Sequence, residues 1–139
     1  MNFSSQIFLK TYHTICLIEN NSCYVWGYNS CGQLGLGDEN NHSSPALLTL
    51  PNNEKISFIT CGYYHTICLT ENNLCYIWGR NSSGQLGLGD ENNLSSPALF
   101  SLPNNEKISF ITCGYGHTIC LTENNLCYVM FGEEMVVVN

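Results

Sequence analysis

Histidine and cysteine stand three residues apart at three places in the chain: His13 with Cys16, His65 with Cys68, and His117 with Cys120. Imidazole and thiolate are zinc ligands, but a zinc site needs four ligands in tetrahedral geometry. The same pair supports nucleophilic catalysis only where the thiolate is accessible and a third group orients the base. Side chains three apart on one strand point to opposite faces. We therefore expect neither a metal site nor a catalytic site, and interpret the histidines as a structural ring with satisfied hydrogen bonds.

The string GQLGLGD, at 32–38 and again at 84–90, has the glycines of a phosphate-binding loop. Such a loop leads into the N-terminus of a helix and usually carries a lysine for the phosphates. Here the string ends in Asp-Glu-Asn-Asn, which is acidic and lacks the ligand spacing of a calcium loop. We interpret both strings as structural loops and expect no cofactor.

The chain carries four basic and 11 acidic residues and a net charge of −7. Nucleic acids and anionic membrane surfaces are bound mainly through lysine and arginine, so we expect neither partner. No apolar window has the length of a membrane-spanning helix. The start MNFSSQIFLK lacks the basic leader and apolar core of a secretory signal. The prediction is an intracellular chain, cytoplasmic or nuclear, whose nine cysteines are reduced.

These motifs belong to a repeat of 52 residues. Residues 11–62 and 63–114 match at 43 of 52 positions, a truncated copy follows at 115–130, and the tail 131–139 matches nothing upstream. Each unit has four short β-prone runs bounded by Asn, Gly or Pro, which indicate strands. In the second copy the runs are Ile56 to Cys61, Thr66 to Leu69, Cys75 to Trp78 and Ala98 to Leu102.

The string TENNLC between the second and third runs predicts a tight hairpin, because Asn72 and Asn73 tolerate a left-handed backbone. A two-residue turn there places Thr70 opposite Cys75. Neither face of the hairpin then carries a charge, whereas a sheet with one wet face alternates apolar and polar residues. We therefore expect sheets covered on both sides and packed radially, as in a β-propeller. Two tryptophans are expected in the core between blades, Trp26 and Trp78.

Three features of the repeat are specific in combination: a Gly-x-x-His-Thr entry, a Trp-Gly exit and the GQLGLGD loop. They occur in CGYYHTICLTENNLCYIWGRNSSGQLGLGD at 61–90 and in YHTICLIENNSCYVWGYNSCGQLGLGD at 12–38, with the shortened form CGYGHTICLTENNLCYV at 113–129. On these strings the chain resembles the regulator of chromosome condensation repeat family. The resemblance implies a seven-bladed propeller of four-stranded blades, about one repeat per blade, and a structural role for the His-Thr entry.

The number of strands suffices for about three blades, so we expect an all-β, partial (open) β-propeller of four-stranded antiparallel blades. An uncovered apolar blade face of about 400 Å² corresponds to roughly 10 kcal/mol. We therefore expect the chain to self-associate or to be the remainder of a larger propeller. Met130 and Phe131 stand where the other copies have Trp-Gly. Two alignments are open there: direct replacement, or a one-residue insertion with Phe131-Gly132 in place of Trp-Gly.

Partner contacts on repeat proteins tend to come from variable loops on a rigid frame. On that basis we select four candidate partner-binding residues, which are Tyr28, Arg80, His42 and Tyr63. Neutral drift on a solvated surface would give the same variation.

Three functions are consistent with the sequence. The first is a non-catalytic protein-interaction module with a protein partner. The second, implied by the resemblance, is guanine-nucleotide exchange on a Ran-type small GTPase, or its regulation, as part of a complete propeller. The third is a degenerate fragment with no independent function, which the non-matching tail favours.

Overall fold

The computed structural model describes residues 6–10, 12–131 and 134–139. These residues form strands and two single-turn 3-10 helices, at Pro51–Asn53 and Pro103–Asn105. The strands are β1 (Gln6–Lys10), β2 (His13–Leu17), β3 (Cys23–Gly27), β4 (His42–Leu48), β5 (Ile56–Cys61), β6 (His65–Thr70), β7 (Cys75–Gly79), β8 (Leu94–Phe100), β9 (Ile108–Cys113), β10 (Thr118–Thr122), β11 (Cys127–Phe131) and β12 (Glu134–Val138). In this described part of the chain, neither helix has the length and hydropathy to cross a bilayer.

The strands form three four-stranded sheets, in the orders β1–β2–β3–β4, β5–β6–β7–β8 and β9–β10–β11–β12. All their pairings are antiparallel. We name the sheets blade 1, blade 2 and blade 3. Neighbouring blades approach each other through their first strands, β1 beside β5 and β5 beside β9. The all-β, open propeller of about three blades that the sequence predicted is confirmed.

Each later blade takes its first strand from the preceding copy of the repeat. Strand β5 lies in copy 11–62 and begins blade 2, whose other three strands lie in copy 63–114. One copy of the repeat therefore contributes to two blades. Separating two copies of the repeat would therefore break a sheet as well as an interface between sheets.

Blade 2 is covered on both faces. The residues packed toward blade 1 include Cys68, Tyr76 and Trp78, and those packed toward blade 3 include Ile67, Cys75 and Ile77. Burying one large apolar side chain contributes roughly 1.5–3 kcal/mol, so both interfaces stabilise this blade. The expectation of a doubly covered sheet is confirmed here. Trp78 lies fully buried between blades, whereas Trp26 on blade 1 is only half-buried.

The hairpin between β6 and β7 has a register one residue away from the predicted one. Leu69, and not Thr70, lies opposite Cys75. The N–H of Asn73 donates to the Thr70 carbonyl, the N–H of Thr70 donates to the Leu74 carbonyl, and Asn73 has a φ of 62°. This is a three-residue loop, a turn followed by one left-handed residue, rather than a two-residue turn. The shift moves Cys75 onto the same face as Leu69.

The outer strand of blade 2 also differs from the prediction. It begins at Leu94 and contains Pro97, whereas the sequence predicted a strand from Ala98 to Leu102. Strand β8 is at the edge of its sheet. An edge strand tolerates proline, because the N–H groups on its outer side have no neighbouring strand to pair with. The missing N–H of proline then costs no hydrogen bond of the sheet.

Met130 occupies the position of Trp78 in blade 3. Met130 lies opposite Thr118 in the strand register, as Trp78 lies opposite Thr66. Its side chain is almost completely buried, while the following Phe131 is exposed. Direct replacement is therefore the correct alignment, and the one-residue insertion is wrong.

Candidate protein-interaction surface

Five tyrosines form a continuous row of ring contacts across the three blades. The row is Tyr12, Tyr28, Tyr64, Tyr63 and Tyr115, named here the tyrosine patch. Ring centroids lie 5.7 Å apart for Tyr12 and Tyr28, 5.9 Å for Tyr12 and Tyr64, and 6.4 Å for Tyr63 and Tyr64. The centroids of Tyr63 and Tyr115 are 3.8 Å apart, which extends the row to blade 3. These separations are mostly those of favourable aromatic pairs.

Two loops from each of the first two blades build most of this patch, and a loop of blade 3 adds Tyr115. One loop precedes the histidine of the His-Thr entry and carries Tyr12 in blade 1 and Tyr64 in blade 2. The other follows the Trp-Gly exit and carries Tyr28 in blade 1 and Arg80 in blade 2. The N–H of Tyr28 donates to the Tyr12 carbonyl at 2.7 Å, and the N–H of Arg80 donates to the Tyr64 carbonyl at 2.8 Å.

The glycine of the Trp-Gly exit makes this close approach sterically possible. Gly79 has a φ of +105°, and a Cβ there would lie 2.5 Å from the Tyr64 carbonyl oxygen. Gly27 is equivalent, with a φ of +107° and a Cβ position 2.6 Å from the Tyr12 carbonyl oxygen. Any other residue would strain this backbone and separate the two loops. The exit glycine therefore holds the two halves of the patch together.

Arg80 adds one positive charge to the patch. Its guanidinium carbon lies 5.4 Å from the centroid of the Tyr64 ring, within the range of a cation–π contact. Its Nε donates to the Ser82 hydroxyl at 2.6 Å, which fixes the direction of the side chain. Partial burial and then the neighbouring Tyr12 raise the pKa of Tyr64, while Arg80 acts in the opposite direction. The Tyr64 phenol is therefore neutral at physiological pH.

Two buried histidines directly follow tyrosines of the patch in the sequence, His13 after Tyr12 and His65 after Tyr64. His13 is almost fully and His65 fully buried, and burial lowers the pKa of each to about 4. The backbone of His117 acts in the opposite direction on the pKa of His65. Within the described residues, the ring nitrogens of His13 and His65 have no hydrogen-bond partner. The expectation of histidines with satisfied hydrogen bonds is wrong for these two. Both imidazole rings are buried in their neutral form.

The entry glycine and its histidine fit against each other. A Cβ on Gly62 would lie 2.2 Å from Cε1 of His65, and one on Gly114 would lie 2.1 Å from Cε1 of His117. Such distances do not occur between real atoms, so the ring needs glycine at that position. The Gly-x-x-His spacing thus packs an imidazole against bare backbone, which gives the loop above it a rigid base.

The structure brings together three of the four residues selected from the sequence. Tyr28 and Tyr63 belong to the tyrosine patch, and Arg80 lies against it. His42 has no ring contact with the patch in the described chain and instead lies 3.4 Å from the carboxylate of Asp38. The pKa of Asp38 is lowered, mainly by a hydrogen bond from the Asn40 backbone.

Sequence reasoning missed Tyr12, Tyr64 and Tyr115. The signal was present, since Tyr12 and Tyr64 immediately precede a repeat histidine and Tyr115 precedes one by two residues. Tyr12 is 51% and Tyr115 is 62% exposed. A contiguous patch of exposed large side chains is typical of an interaction site.

The buried cysteines are in an environment that disfavours reactivity. All nine are free thiols. Burial raises the pKa of the Cys68 and Cys75 thiols, which disfavours the nucleophilic thiolate. Among residues 6–10, 12–131 and 134–139, no three His, Cys, Asp or Glu side chains are grouped so as to hold a metal ion.

Comparisons with known proteins agree with this architecture. The model of the regulator of chromosome condensation (RCC1) repeat matches residues 20–69 and 72–121, and a second model of that repeat matches 5–33 and 56–85. The ultraviolet-B receptor UVR8 of Arabidopsis thaliana is 37% identical over 113 residues, which are 81% of this chain and 26% of UVR8. The X-linked retinitis pigmentosa GTPase regulator of Canis lupus familiaris is 37% identical over 123 residues, 88% of this chain and 12% of that protein.

A solved structure shows the same fold. Prp20p of Saccharomyces cerevisiae superimposes with a TM-score of 0.80 at 20% identity, covering 96% of this chain and 38% of Prp20p. The chain spans about a quarter or less of the length of the two curated relatives. Because the matched repeats cover most of its residues, the chain belongs to the regulator of chromosome condensation (RCC1) repeat family.

Proposed function

We propose that this chain is a non-catalytic protein-interaction module whose tyrosine patch binds a protein partner inside the cell. The main support is the continuous row of ring contacts from Tyr12 to Tyr115, which lies on loops of a stacked-blade scaffold. Tyrosine and arginine are enriched at the interface positions that carry most binding energy. The free cysteines are consistent with a reducing compartment, the cytoplasm or the nucleus.

The rigidity of the patch favours binding. A tyrosine has two side-chain torsions, so fixing it costs little entropy compared with a long flexible side chain. Ring contacts and backbone hydrogen bonds already hold Tyr12 and Tyr28 in place. Binding of a partner therefore costs little entropy for ordering these loops. A larger share of the interaction energy is then available as affinity.

Quantitative affinity capture from extracts of the source cells tests this proposal. The wild-type chain is compared with a Tyr12→Ser/Tyr115→Ser double variant, which removes two exposed rings at opposite ends of the row. A Leu47→Ser variant, at a 53% exposed leucine on strand β4, is the matched control. We expect a defined protein to be captured by the wild type and the control and lost with the double variant. Equal capture by all three would remove the patch as the binding site.

A second candidate function is regulation of a small GTPase of the Ran type. It is supported by the likeness to a relative named as a GTPase regulator and to Prp20p, whose structure was described together with its binding to Gsp1p and histones. Release of a fluorescent guanine nucleotide from a Ran-type GTPase tests it. Acceleration that the Tyr63→Ser variant abolishes would support this candidate, and no acceleration at high chain concentration would eliminate it.

The outer face of blade 3 supports head-to-tail self-association. Its residues Ile119, Cys127 and Val129 are equivalent to residues on blade 2 that blade 3 covers, and Leu121 and Val136 are 36% and 41% exposed. Sedimentation velocity over a dilution series tests the proposal. We expect Leu121→Asp to give a monomer, whereas Leu99→Asp, at an exposed leucine of blade 2, leaves association unchanged. A wild-type monomer at all concentrations would contradict it.

A further inference from the structure

Each of the two interfaces between blades contains a pair of buried thiols. Cys23, at the start of β3 in blade 1, and Cys68, in β6 of blade 2, belong to one buried apolar cluster. Cys75, at the start of β7 in blade 2, and Cys120, in β10 of blade 3, belong to the other cluster. Each of these side chains is at most 3% exposed. We name them the inter-blade thiol pairs.

The two pairs occupy equivalent positions of the repeat. Cys75 follows Cys23 by 52 residues, and Cys120 follows Cys68 by 52 residues. In each pair, one thiol comes from the third strand of a blade and the other from the second strand of the next blade. The same arrangement is therefore formed twice, at two separate interfaces inside the chain.

The thiols of each pair lie close enough to interact electrostatically. Burial, and then the Cys23 thiol, raise the pKa of Cys68. Burial, and then the Cys120 thiol, raise the pKa of Cys75. A buried thiolate is costly in such an apolar interface, whereas a disulfide is uncharged. The interface therefore favours the thiol pair or its disulfide over the ionised form.

Facing sheets can be joined by a disulfide. Sheets packed face to face lie about 10 Å apart, and immunoglobulin domains join theirs by a disulfide beside a buried tryptophan. Trp78 likewise belongs to the cluster that contains Cys23 and Cys68. Cys68 and Cys75, in contrast, belong to different clusters on opposite faces of blade 2. Bond formation across an interface is thus favoured over bond formation within the hairpin.

We propose that the pairs Cys23–Cys68 and Cys75–Cys120 are sites of reversible disulfide formation, which joins neighbouring blades covalently when glutathione becomes oxidised. One thiolate of a pair attacks a sulfur of glutathione disulfide, and one glutathione leaves. The second thiolate attacks the protein sulfur of this mixed disulfide, and the other glutathione leaves. Two electrons pass from the protein to glutathione disulfide, and the two thiol protons end on the two released glutathiones.

Burial makes the formation of these bonds depend on movement of the blades. The reaction needs a thiolate and access for glutathione, and a closed interface disfavours both. Transient opening of an interface exposes the first thiol, and closing the interface brings the second thiol against the mixed disulfide. The half-buried Cys16 is more accessible and belongs to neither pair. We therefore expect Cys16 to react with glutathione before the two pairs do.

Equilibration of the full chain in glutathione redox buffers tests the proposal. Free thiols are blocked with N-ethylmaleimide, the chain is digested without reduction, and linked peptides are identified by mass spectrometry. Equilibrium is approached from both the reduced and the oxidised chain, so that slow access does not decide the result. We expect the equilibrium constant for each bond to be at least about 30-fold larger in the folded chain than in concentrated urea, because the fold holds the thiols together.

Two equivalent variants serve as controls for each other. Cys68→Ala should remove the bond to Cys23 and leave the Cys75–Cys120 bond, and Cys120→Ala should do the reverse. Cys16→Ala should leave both bonds. The oxidised wild-type chain should also unfold at a higher urea concentration than the reduced chain, because a bond that folding favours stabilises the folded state.

Two results would overturn the proposal. One is an equilibrium constant in the folded chain that is no larger than in concentrated urea, since the fold would then not hold the thiols in bonding positions. The other is a bond within blade 2, between Cys68 and Cys75, in place of the bonds across the interfaces. Both results come from the wild-type chain, so they do not depend on how any variant folds.

Discussion

The indole nitrogen of Trp78 in blade 2 donates a 3.0 Å hydrogen bond to the carbonyl of Gln33 in the loop of blade 1. This bond, the Thr66 bond to the same oxygen and the fit of Gly35 against the indole join the two blades at one point. The equivalent tryptophan of blade 1, Trp26, has no such bond within the described residues. The two tryptophans therefore make a matched pair for measuring what the contact contributes.

We predict that Trp78→Phe destabilises the chain by about 2 kcal/mol, because it loses a buried hydrogen bond and leaves part of the cavity empty. Trp26→Phe, at a half-buried site without that bond, should cost less than about 0.5 kcal/mol. Urea unfolding followed by circular dichroism measures both. Equal destabilisation by the two variants would show that the inter-blade bond contributes little.

Met130 and Phe100 are predicted to be coupled. A Cβ on Gly87 lies near both side chains, whereas a Cβ on the equivalent Gly35 lies near Trp78 and Leu48. A smaller residue in the tryptophan position thus accompanies a larger one on the preceding blade. Met130→Trp alone should destabilise the chain by about 1–3 kcal/mol through overpacking.

Adding Phe100→Leu to Met130→Trp should recover most of that loss, since the pair then matches the one in the preceding interface. A double-mutant cycle from urea unfolding gives the interaction energy, which we expect to be at least about 1 kcal/mol. Additive effects of the two substitutions would contradict the proposed exchange of volume.

The entry glycine should be intolerant of a methyl group. Gly62→Ala places a Cβ 2.2 Å from the buried His65 ring, so we expect a loss of about 2 kcal/mol or more. Gly116→Ala is the control in the same loop region of blade 3, because a Cβ there has no atom within 4 Å. Thermal unfolding of both variants tests the prediction. A stable Gly62→Ala chain would mean that the histidine can leave its packed position at little cost.

Acid should destabilise the fold through His13 and His65. The pKa of each is lowered from 6.5 to about 4 by burial. Between those values the unfolded chain binds protons that the folded chain does not, so stability falls as the pH drops below about 6.5 and continues to fall to about 4. The loss is at most about 3 kcal/mol for each histidine.

Urea midpoints measured from pH 7.5 to pH 4 test this dependence. The slope should become shallower in a His65→Leu variant, because one of the two buried histidines is then missing. An unchanged slope in His65→Leu would show that this histidine is not the group being titrated.

Much of the fold could be predicted because near-identical copies repeat the same pattern of short apolar runs. The hairpin register could not, since an Asn-Asn pair suits either a two-residue or a three-residue loop and only the position of Asn73 in the left-handed region decides between them. The start of strand β8 at Leu94, before Pro97, could not be predicted either. Proline is accommodated there because β8 is at the edge of its sheet, and the order of strands in a sheet cannot be read directly from the sequence.

The candidate site could be predicted only in part. Variation between the copies pointed to Tyr28 and Arg80, but the contact of Tyr12 with Tyr64 joins loops 52 residues apart on different blades. That contact depends on the angle between blades, which repeat spacing leaves undetermined. The unpartnered nitrogens of His65 likewise reflect packing against Gly62, where sequence reasoning favoured hydrogen bonds.

The affinity of the captured partner for Tyr115 variants tests the proposed interaction module most directly. Tyr115 is 62% exposed and contacts Tyr63 at the end of the row, so its replacement should leave the fold intact. Isothermal titration should give binding about 30-fold weaker for Tyr115→Ser and nearly unchanged for Tyr115→Phe, as expected for an aromatic side chain that carries a large share of the binding energy. A Tyr115→Ser chain that binds as tightly as the wild type would contradict the proposal that the tyrosine patch is the binding surface.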